Sequence, residues 1–198
     1  MTDPRIRATR RAVLGAALEL VAERGFAAAT IEAVSERSGV ARSTIYRRWP
    51  EPNRLFLEAF WPMTEGEAAL VHTGDTVHDL HAYLADYARR MNDPVYFSAL
   101  VALIDRAARD DDFAAMHRAL TDARRSRAAS VIAEGVEAGT LAPAIDLSAA
   151  LEALTAPFLY IRMIRHDDVA DTDIERVLED FLDRFGADPA PASTGRRA

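Results

Sequence analysis

The stretch Gly39-Val-Ala-Arg-Ser-Thr-Ile-Tyr-Arg-Arg-Trp-Pro50 sets three arginines, two hydroxyls and a tyrosine around one isoleucine. Wound as a helix, it turns Val40 and Ile45 to one side and leaves Arg42, Ser43, Thr44, Tyr46 and Arg47 on the remaining surface. Those side-chain types can read nucleic acid. A guanidinium bonds guanine bidentately, a threonine methyl touches the methyl of thymine, and serine and tyrosine hydroxyls bond phosphates. Thr30, at the head of the preceding segment, lies where backbone N–H groups and the helix dipole favour a phosphate. The competing reading is a solvated surface helix with ordinary capping, and spacing alone does not choose between the two.

Three elements must position that stretch. From about Arg7 to Arg24, Val13, Ala17, Leu18 and Val21 form an apolar stripe that ends at Gly25, a helix-terminating residue. Thr30 caps a short helix with Ile31, Ala33 and Val34 inward, closing near Ser38-Gly39, where glycine suits a tight turn. A third helix, about Ala41 to Arg48, has Val40, Ile45 and Trp49 as core contacts and is stopped by Pro50. Two short helices joined by a glycine-containing turn form a helix-turn-helix, whose second member can lie in a DNA major groove.

The rest of the chain is also helical in period, so the expected fold class is all-α, with about nine helices. Pro52 opens a helix carrying Leu55, Phe56, Ala59 and Phe60. A looser segment, 72–76, leads into a helix striped by Val77, Leu80, Leu84, Tyr87 and Met91. Asn92-Asp-Pro94 breaks the chain before a helix marked by Phe97, Leu100, Val101 and Ile104. Asp110–Asp112 precede a long helix through Phe113, Met116, Leu120 and Val131 to Gly139. The last two helices, about 146–166 and 172–185, are the most apolar. Asp146 can cap the first, Pro157 should kink it, and Thr172-Asp-Ile-Glu175 has capping-box spacing for the second. The tail from Gly186, rich in Ala, Pro and Gly, has no apolar face and is expected to be disordered. The division expected is 1–52 for DNA binding, 53–186 for the helical body and 187–198 for the tail.

The 198 residues carry a net charge of −7, 49% hydrophobic and 28% charged residues and no cysteine. Thiolate metal sites, disulfides and cysteine nucleophiles are thereby excluded. The negative total hides an asymmetry. Residues 1–50 hold nine arginines against five acids, a balance of +4, and residues 51–198 hold fifteen against twenty-six, a balance of −11. A basic module on an acidic body is the pattern of a chain that meets a polyanion at one end. No apolar run approaches the ~20 residues of a membrane span, and the charged N-terminus lacks a signal-peptide core, so a cytoplasmic protein without membrane contact is expected.

The stretch TIEAVSERSGVARSTIYRRWPEPNRLF, preceded by RAVLGAALELVAERGF, resembles the DNA-binding domain of the tetracycline-repressor (TetR) family of bacterial transcription regulators. The match spans about residues 10–60 and includes the Gly-Val turn and the Thr-Ile-Tyr core of the recognition helix. Two positions depart from the family pattern. Pro52 stands where a lysine that reaches the DNA backbone is usual, with Arg54 as a substitute, and Ala41 replaces a capping serine. The resemblance implies a ligand-responsive regulator, most often a repressor, that binds a palindromic double-stranded operator as a homodimer. The implied DNA contacts are Thr30, Arg42, Ser43, Thr44, Tyr46 and Arg47, with Arg10 and Arg11 in a basic N-terminal arm that also includes Arg5 and Arg7.

In the body, the resemblance implies a cavity for a small-molecule effector. Trp61, Tyr83, Tyr87, Met91, Phe97, Met116 and Phe158 are the bulky candidates, each also readable as plain core. The penultimate helix is apolar almost all round, and the last one has a clean apolar face. Burial at the centre of a monomer and pairing with a second copy both account for this, and the resemblance favours the dimer. The expected interface is Leu151, Leu154, Phe158, Ile161, Leu178, Phe181 and Phe185. His72, His78 and His81, with Asp75 and Asp79, suggest a metal site at first sight. They read instead as a helix start behind a flexible segment, so neither metal nor cofactor is expected. A helical enzyme is the alternative class, but the chain has no glycine-rich phosphate loop, no Gly-x-Ser-x-Gly elbow and no His/acid pair on one expected face, so no catalytic residues are assigned.

Overall fold

A computed structural model describes residues 4–63 and 72–187, apart from the Pro62 side chain. Among the described residues there are nine α-helices and no strand. They are α1 (Pro4–Arg24), α2 (Ile31–Ser38), α3 (Arg42–Arg48), α4 (Pro52–Phe60), α5 (Thr76–Asn92), α6 (Pro94–Ala107), α7 (Asp111–Glu137), α8 (Leu147–Tyr160) and α9 (Asp171–Phe185). A 3-10 turn, Trp61–Met63, follows α4, and a π turn, Ile161–Arg165, follows α8. The described residues form two compact units, those within 1–69 and 89–126 and those within 70–88 and 127–198.

In the first unit α1 is the hub, packing against α2, α4 and α6. Its buried residues are Val13, Leu14, Ala16, Ala17, Leu20 and Val21, a face rotated slightly from the expected stripe, with Leu18 only half-buried. Gly25 ends the helix at φ 73°, its N–H bonded to the Val21 carbonyl at 2.8 Å. Phe26 then turns into an aromatic cluster whose ring centroids lie 5.8, 5.7 and 4.9 Å from those of Phe56, Phe60 and Phe113. Asp93 caps α6, accepting from the Tyr96 N–H at 2.7 Å. The acidic cap expected before α7 is supplied by Asp110, which accepts from the Asp112 N–H. The buried residues of α6 are Ala99, Leu100 and Leu103, whereas Val101, expected inward, is exposed.

In the second unit α8 packs on α9. Asp146 caps α8 as expected, accepting from the Ser148 and Ala149 N–H groups at 2.9 and 3.2 Å. Pro157 stands inside the helix, where it withholds one backbone donor, and one turn later the winding widens into the π turn. The capping box of α9 is displaced from its expected place. Ala170 is the N-cap, the Asp173 carboxylate accepts from its N–H at 3.0 Å, and Thr172 lies inside the helix. The expected tail also starts later. Gly186 bridges Leu141, and the Ala187 N–H bonds the Thr140 carbonyl at 3.0 Å. From residue 188 the tail lies outside the described residues. Val77, expected in the α5 stripe, is exposed, while Leu80, Leu84, Tyr87 and Met91 are buried.

The seven residues expected to meet a second copy, Leu151, Leu154, Phe158, Ile161, Leu178, Phe181 and Phe185, are all buried within the single chain. They are core of the monomer, because the bulky faces of α8 and α9 close on each other. By length and composition alone, Leu147–Arg165 would also serve as a membrane span, against the expectation from the sequence. Leu151, Leu154, Phe158 and Ile161 are buried within the unit, which gives that side of the helix a purpose inside a folded domain.

Two helical glycines have opposite surroundings, and the same substitution should separate them. A Cβ at Gly15 on the exposed side of α1 meets nothing within 4 Å, whereas one at Gly135 on α7 falls 2.5 Å from Thr76 Cγ2 and 2.8 Å from Leu141 Cδ1. Both of those neighbours are buried. Gly15→Ala should stabilise by ~0.5–1 kcal/mol through lost backbone entropy, and Gly135→Ala should destabilise by ~1–3 kcal/mol through overpacking. Chemical denaturation of both variants checks the opposite signs.

Candidate nucleic-acid interface

Helix α2 is held at both ends. The Thr30 hydroxyl oxygen accepts from the Ala33 N–H at 3.2 Å, and Gly39, at φ 69°, returns its N–H to the Ser35 carbonyl. The turn to α3 is stitched by side chains, since the Ser35 hydroxyl donates to the Val40 carbonyl at 2.8 Å and the Val40 N–H reaches Ser38 Oγ. Ala41 opens α3 with no side-chain bond, as its residue type requires.

Along α3, Ile45 is fully buried, while Arg42, Ser43, Tyr46, Arg47 and Arg48 are exposed and Thr44 is half-buried. Tyr46 shows 44% of its surface to solvent, which is unusual for a large aromatic with no structural task. Arg42 reaches Glu32 on α2 at 3.4 Å. Among the described residues, Arg47 makes no ion pair. Thr44, Arg47 and Arg48 face Arg5, Ile6, Thr9 and Arg10 of α1 across a concavity of about 560 Å³.

The basic N-terminus is therefore not an extended arm. Arg5, Arg7, Arg10 and Arg11 are all within α1. Arg11 is exposed, whereas the Arg10 guanidinium bonds Glu58 of α4 at 2.5 Å. Glu58 also accepts the indole N–H of buried Trp49 at 2.6 Å. One carboxylate thus ties the start of α1 to the end of α3, a link that sequence reasoning missed. The available signal was Trp49 itself, since a buried indole needs an acceptor and an acid lies nine residues on. Burial raises the Glu58 carboxyl, but the hydrogen bonds from Trp49 and Arg10 outweigh it and hold the group below its ordinary 4.5. Pro52 occupies the first turn of α4, and Arg54 pairs with Glu51 at 3.2 Å.

Two family profiles match the chain, "Bacterial regulatory proteins, tetR family" over residues 13–59 and "Tetracyclin repressor-like, C-terminal domain" over residues 70–181. The crystal structure of TetR family transcription regulator SCO0332 is 30% identical, covers 88% of this chain and 97% of its own, and superposes with a TM-score of 0.68. The chain belongs to the TetR family. A curated member, the uncharacterized HTH-type transcriptional regulator YdeS of Bacillus subtilis, is 26% identical over 170 residues, 85% of each chain. A transcriptional regulator of Saccharomonospora viridis, crystallised in complex with choline, shares the fold with a TM-score of 0.73 at 16% identity, over 90% of this chain and 98% of its own. The TetR-type helix-turn-helix is thus α2 and α3, the elements marked by the first-quoted stretch.

Of the residues expected to line an effector cavity, Tyr83, Tyr87, Met91, Met116 and Phe158 are buried. The Tyr87 and Phe158 rings stack at 5.6 Å. Phe97 is half-buried and Trp61 is exposed.

The Glu58 link has a pH signature. Its carboxyl is depressed in the folded chain, so its contribution is complete above the ordinary 4.5 and is lost as pH falls through the lower folded value. Glu58→Gln should therefore cost stability at pH 7, by about 1 kcal/mol for a partly exposed charge-assisted site. The deficit should close towards pH 3. Melting curves of the variant and wild type at the two pH values decide it.

Proposed function

We propose that this TetR-family protein is a repressor that binds a palindromic operator as a homodimer in the cytoplasm and releases it on binding a small-molecule effector, without enzymatic activity. One observation carries the DNA-binding part: α3 buries Ile45 completely while it leaves Arg42, Ser43, Tyr46 and Arg47 exposed on its other faces. Arg47 is the proposed base reader, with Arg42, Ser43, Thr44 and Tyr46 beside it. Thr30 presents the α2 N-terminus to a phosphate, and exposed Arg11 adds a phosphate contact. Arg10 acts through Glu58, fixing α1 against the end of α3. The acidic balance of residues 51–198 favours a neutral or cationic effector over an anion, with Tyr83, Tyr87 and Phe158 as residues near which it is sought.

Operator titration over a range of salt concentrations tests this reading. Arg47→Ala should cost ~1–3 kcal/mol and relax specificity at one operator position, whereas Tyr46→Phe should weaken all sequences alike by deleting a phosphate bond. Each phosphate contact adds about −0.9 to the slope of log affinity against log salt. Ile45→Ala should instead lower thermal stability, by ~2–5 kcal/mol. Wild-type binding by both Arg47→Ala and Tyr46→Phe would remove α3 as the reader.

The dimer is proposed through the outer surface of α8 and α9. There Ala149, Ala153, Ala156, Pro157 and Tyr160 line a concavity of about 630 Å³, together with Glu152 and the arginines Arg165, Arg176 and Arg184. Tyr160 and Ile164 are 58% and 62% exposed, a large apolar area for solvent to cover. Light scattering at micromolar concentration should give a dimer for wild type and a monomer for Ala156→Arg, with the monomer's fold intact by circular dichroism because that position is exposed in the single chain. A monomeric wild type rejects the interface.

A further inference from the structure

Away from the helix-turn-helix, three metal-ligating side chains from three parts of the chain converge in the second unit. His72 lies in the segment before α5, Asp79 on the first turn of α5 and Glu134 near the end of α7. One ligand atom of each lies within 4.8 Å of the other two. His72 Nδ1 is 2.8 Å from Glu134 Oε2. Asp79 is only 3% exposed, and its carboxylate accepts from the Thr73 N–H at 3.0 and 3.2 Å and from the Thr73 hydroxyl at 2.8 Å.

The approach of α7 to the start of α5 depends on Gly135, next to Glu134, because a Cβ there would strike Thr76 at 2.5 Å. The backbone is thus shaped to bring the Glu134 helix against the Asp79 helix. Two carboxylates meet there with one imidazole, so with the histidine neutral the spot carries two negative charges. The Gly74 N–H also bonds the Asp79 carboxylate, so an ion there would share the carboxylate with, or displace, one of these donors. Those donors also fix its orientation, as outer partners of metal ligands do.

We propose that His72, Asp79 and Glu134 form a binding site for a divalent first-row transition-metal ion, with zinc as the working probe. The imidazole nitrogen selects zinc, nickel or cobalt over magnesium and calcium, which prefer all-oxygen sites. A divalent ion cancels the two carboxylate charges, and an ion in place of the His72–Glu134 hydrogen bond draws on the groups already facing each other. Three protein ligands leave a coordination position for solvent or a small ligand. An occupied site would clamp the segment before α5 onto α7.

The test uses the full untagged chain, stripped with chelator and titrated with zinc against a chromophoric competitor. Wild type should bind one zinc per chain and melt at a higher temperature with zinc than without it. His72→Ala and Glu134→Gln should each weaken zinc by more than ~10-fold, the least that loss of even an outer partner of a ligand brings. Both side chains are partly exposed, so both variants should keep their metal-free melting temperature. His81→Ala, on the exposed surface of α5, should bind like wild type, and excess magnesium should not compete. Failure of wild type to bind zinc, equal binding by the His72 and Glu134 variants, or competition by magnesium at similar concentration would each overturn the proposal.

Discussion

A seven-residue helix cannot hold itself together in water, where isolated helices shorter than ~12–15 residues are marginal. Helix α3 therefore exists, and points where it does, because of what grips it. Ile45 is wholly withdrawn from solvent, which is worth ~1.5–3 kcal/mol for a side chain of that size. Trp49 closes the helix as a buried indole anchored on Glu58, and the Ser35 hydroxyl binds the turn that precedes it. With one face and both ends fixed, the arginines and Tyr46 have only the outward surface left to occupy. The side chains proposed to meet DNA are thus placed by residues that never touch it.

The same economy governs charge. The positive balance of residues 1–50 is not spread evenly over their surface. Arg37 is held bidentately by Glu23 at 2.6 and 2.7 Å, with Glu19 near by, and Arg42 leans on Glu32. Three of the five acids of this segment therefore lie against arginines of α2 and α3. The Arg48 guanidinium lies over the Trp49 ring at 5.3 Å, a cation–π contact at a residue that stays exposed. Among the described residues, Arg47 on the C-terminal half of α3 makes no ion pair, and Arg11 on α1 stands exposed. A polyanion would be drawn to that end, even on a chain whose net charge is negative.

Legibility in the sequence followed the range of the interaction. Caps and turns are local, so Thr30, Gly39, Asp93-Pro94 and Asp146 could be read from a few neighbouring letters. The inward face of α3 was also legible, because one isoleucine among polar residues leaves no choice. Faces of strongly apolar helices were harder. Val77 and Val101 sit one position away from buried residues, and an apolar period tolerates that rotation. The missed links, Arg10–Glu58–Trp49 and His72–Asp79–Glu134, join residues that are polar and far apart in the chain. Nothing in the pattern around Glu134 distinguishes it from any solvated glutamate; only the close passage at Gly135 does so, and that depends on the fold.

The seven residues expected to meet a second copy are buried within the single chain, and the ambiguity behind that expectation has a physical cause. Burial against one's own chain and burial against a copy leave the same apolar signature, so the sequence cannot separate them. The two faces of α8 differ in size. The inner face of α8 carries Leu151, Leu154, Phe158 and Ile161, which supply the volume a core needs. The outer face carries Ala149, Ala153 and Ala156, whose short side chains let another helix come near the lower end of the 8–10 Å range of helix packing. Bulk inside and small residues outside are the distribution on which the proposed pairing surface rests. In the proposed dimer, a substitution on the outer face should alter pairing without unfolding the chain, because the core of α8 lies on its other face.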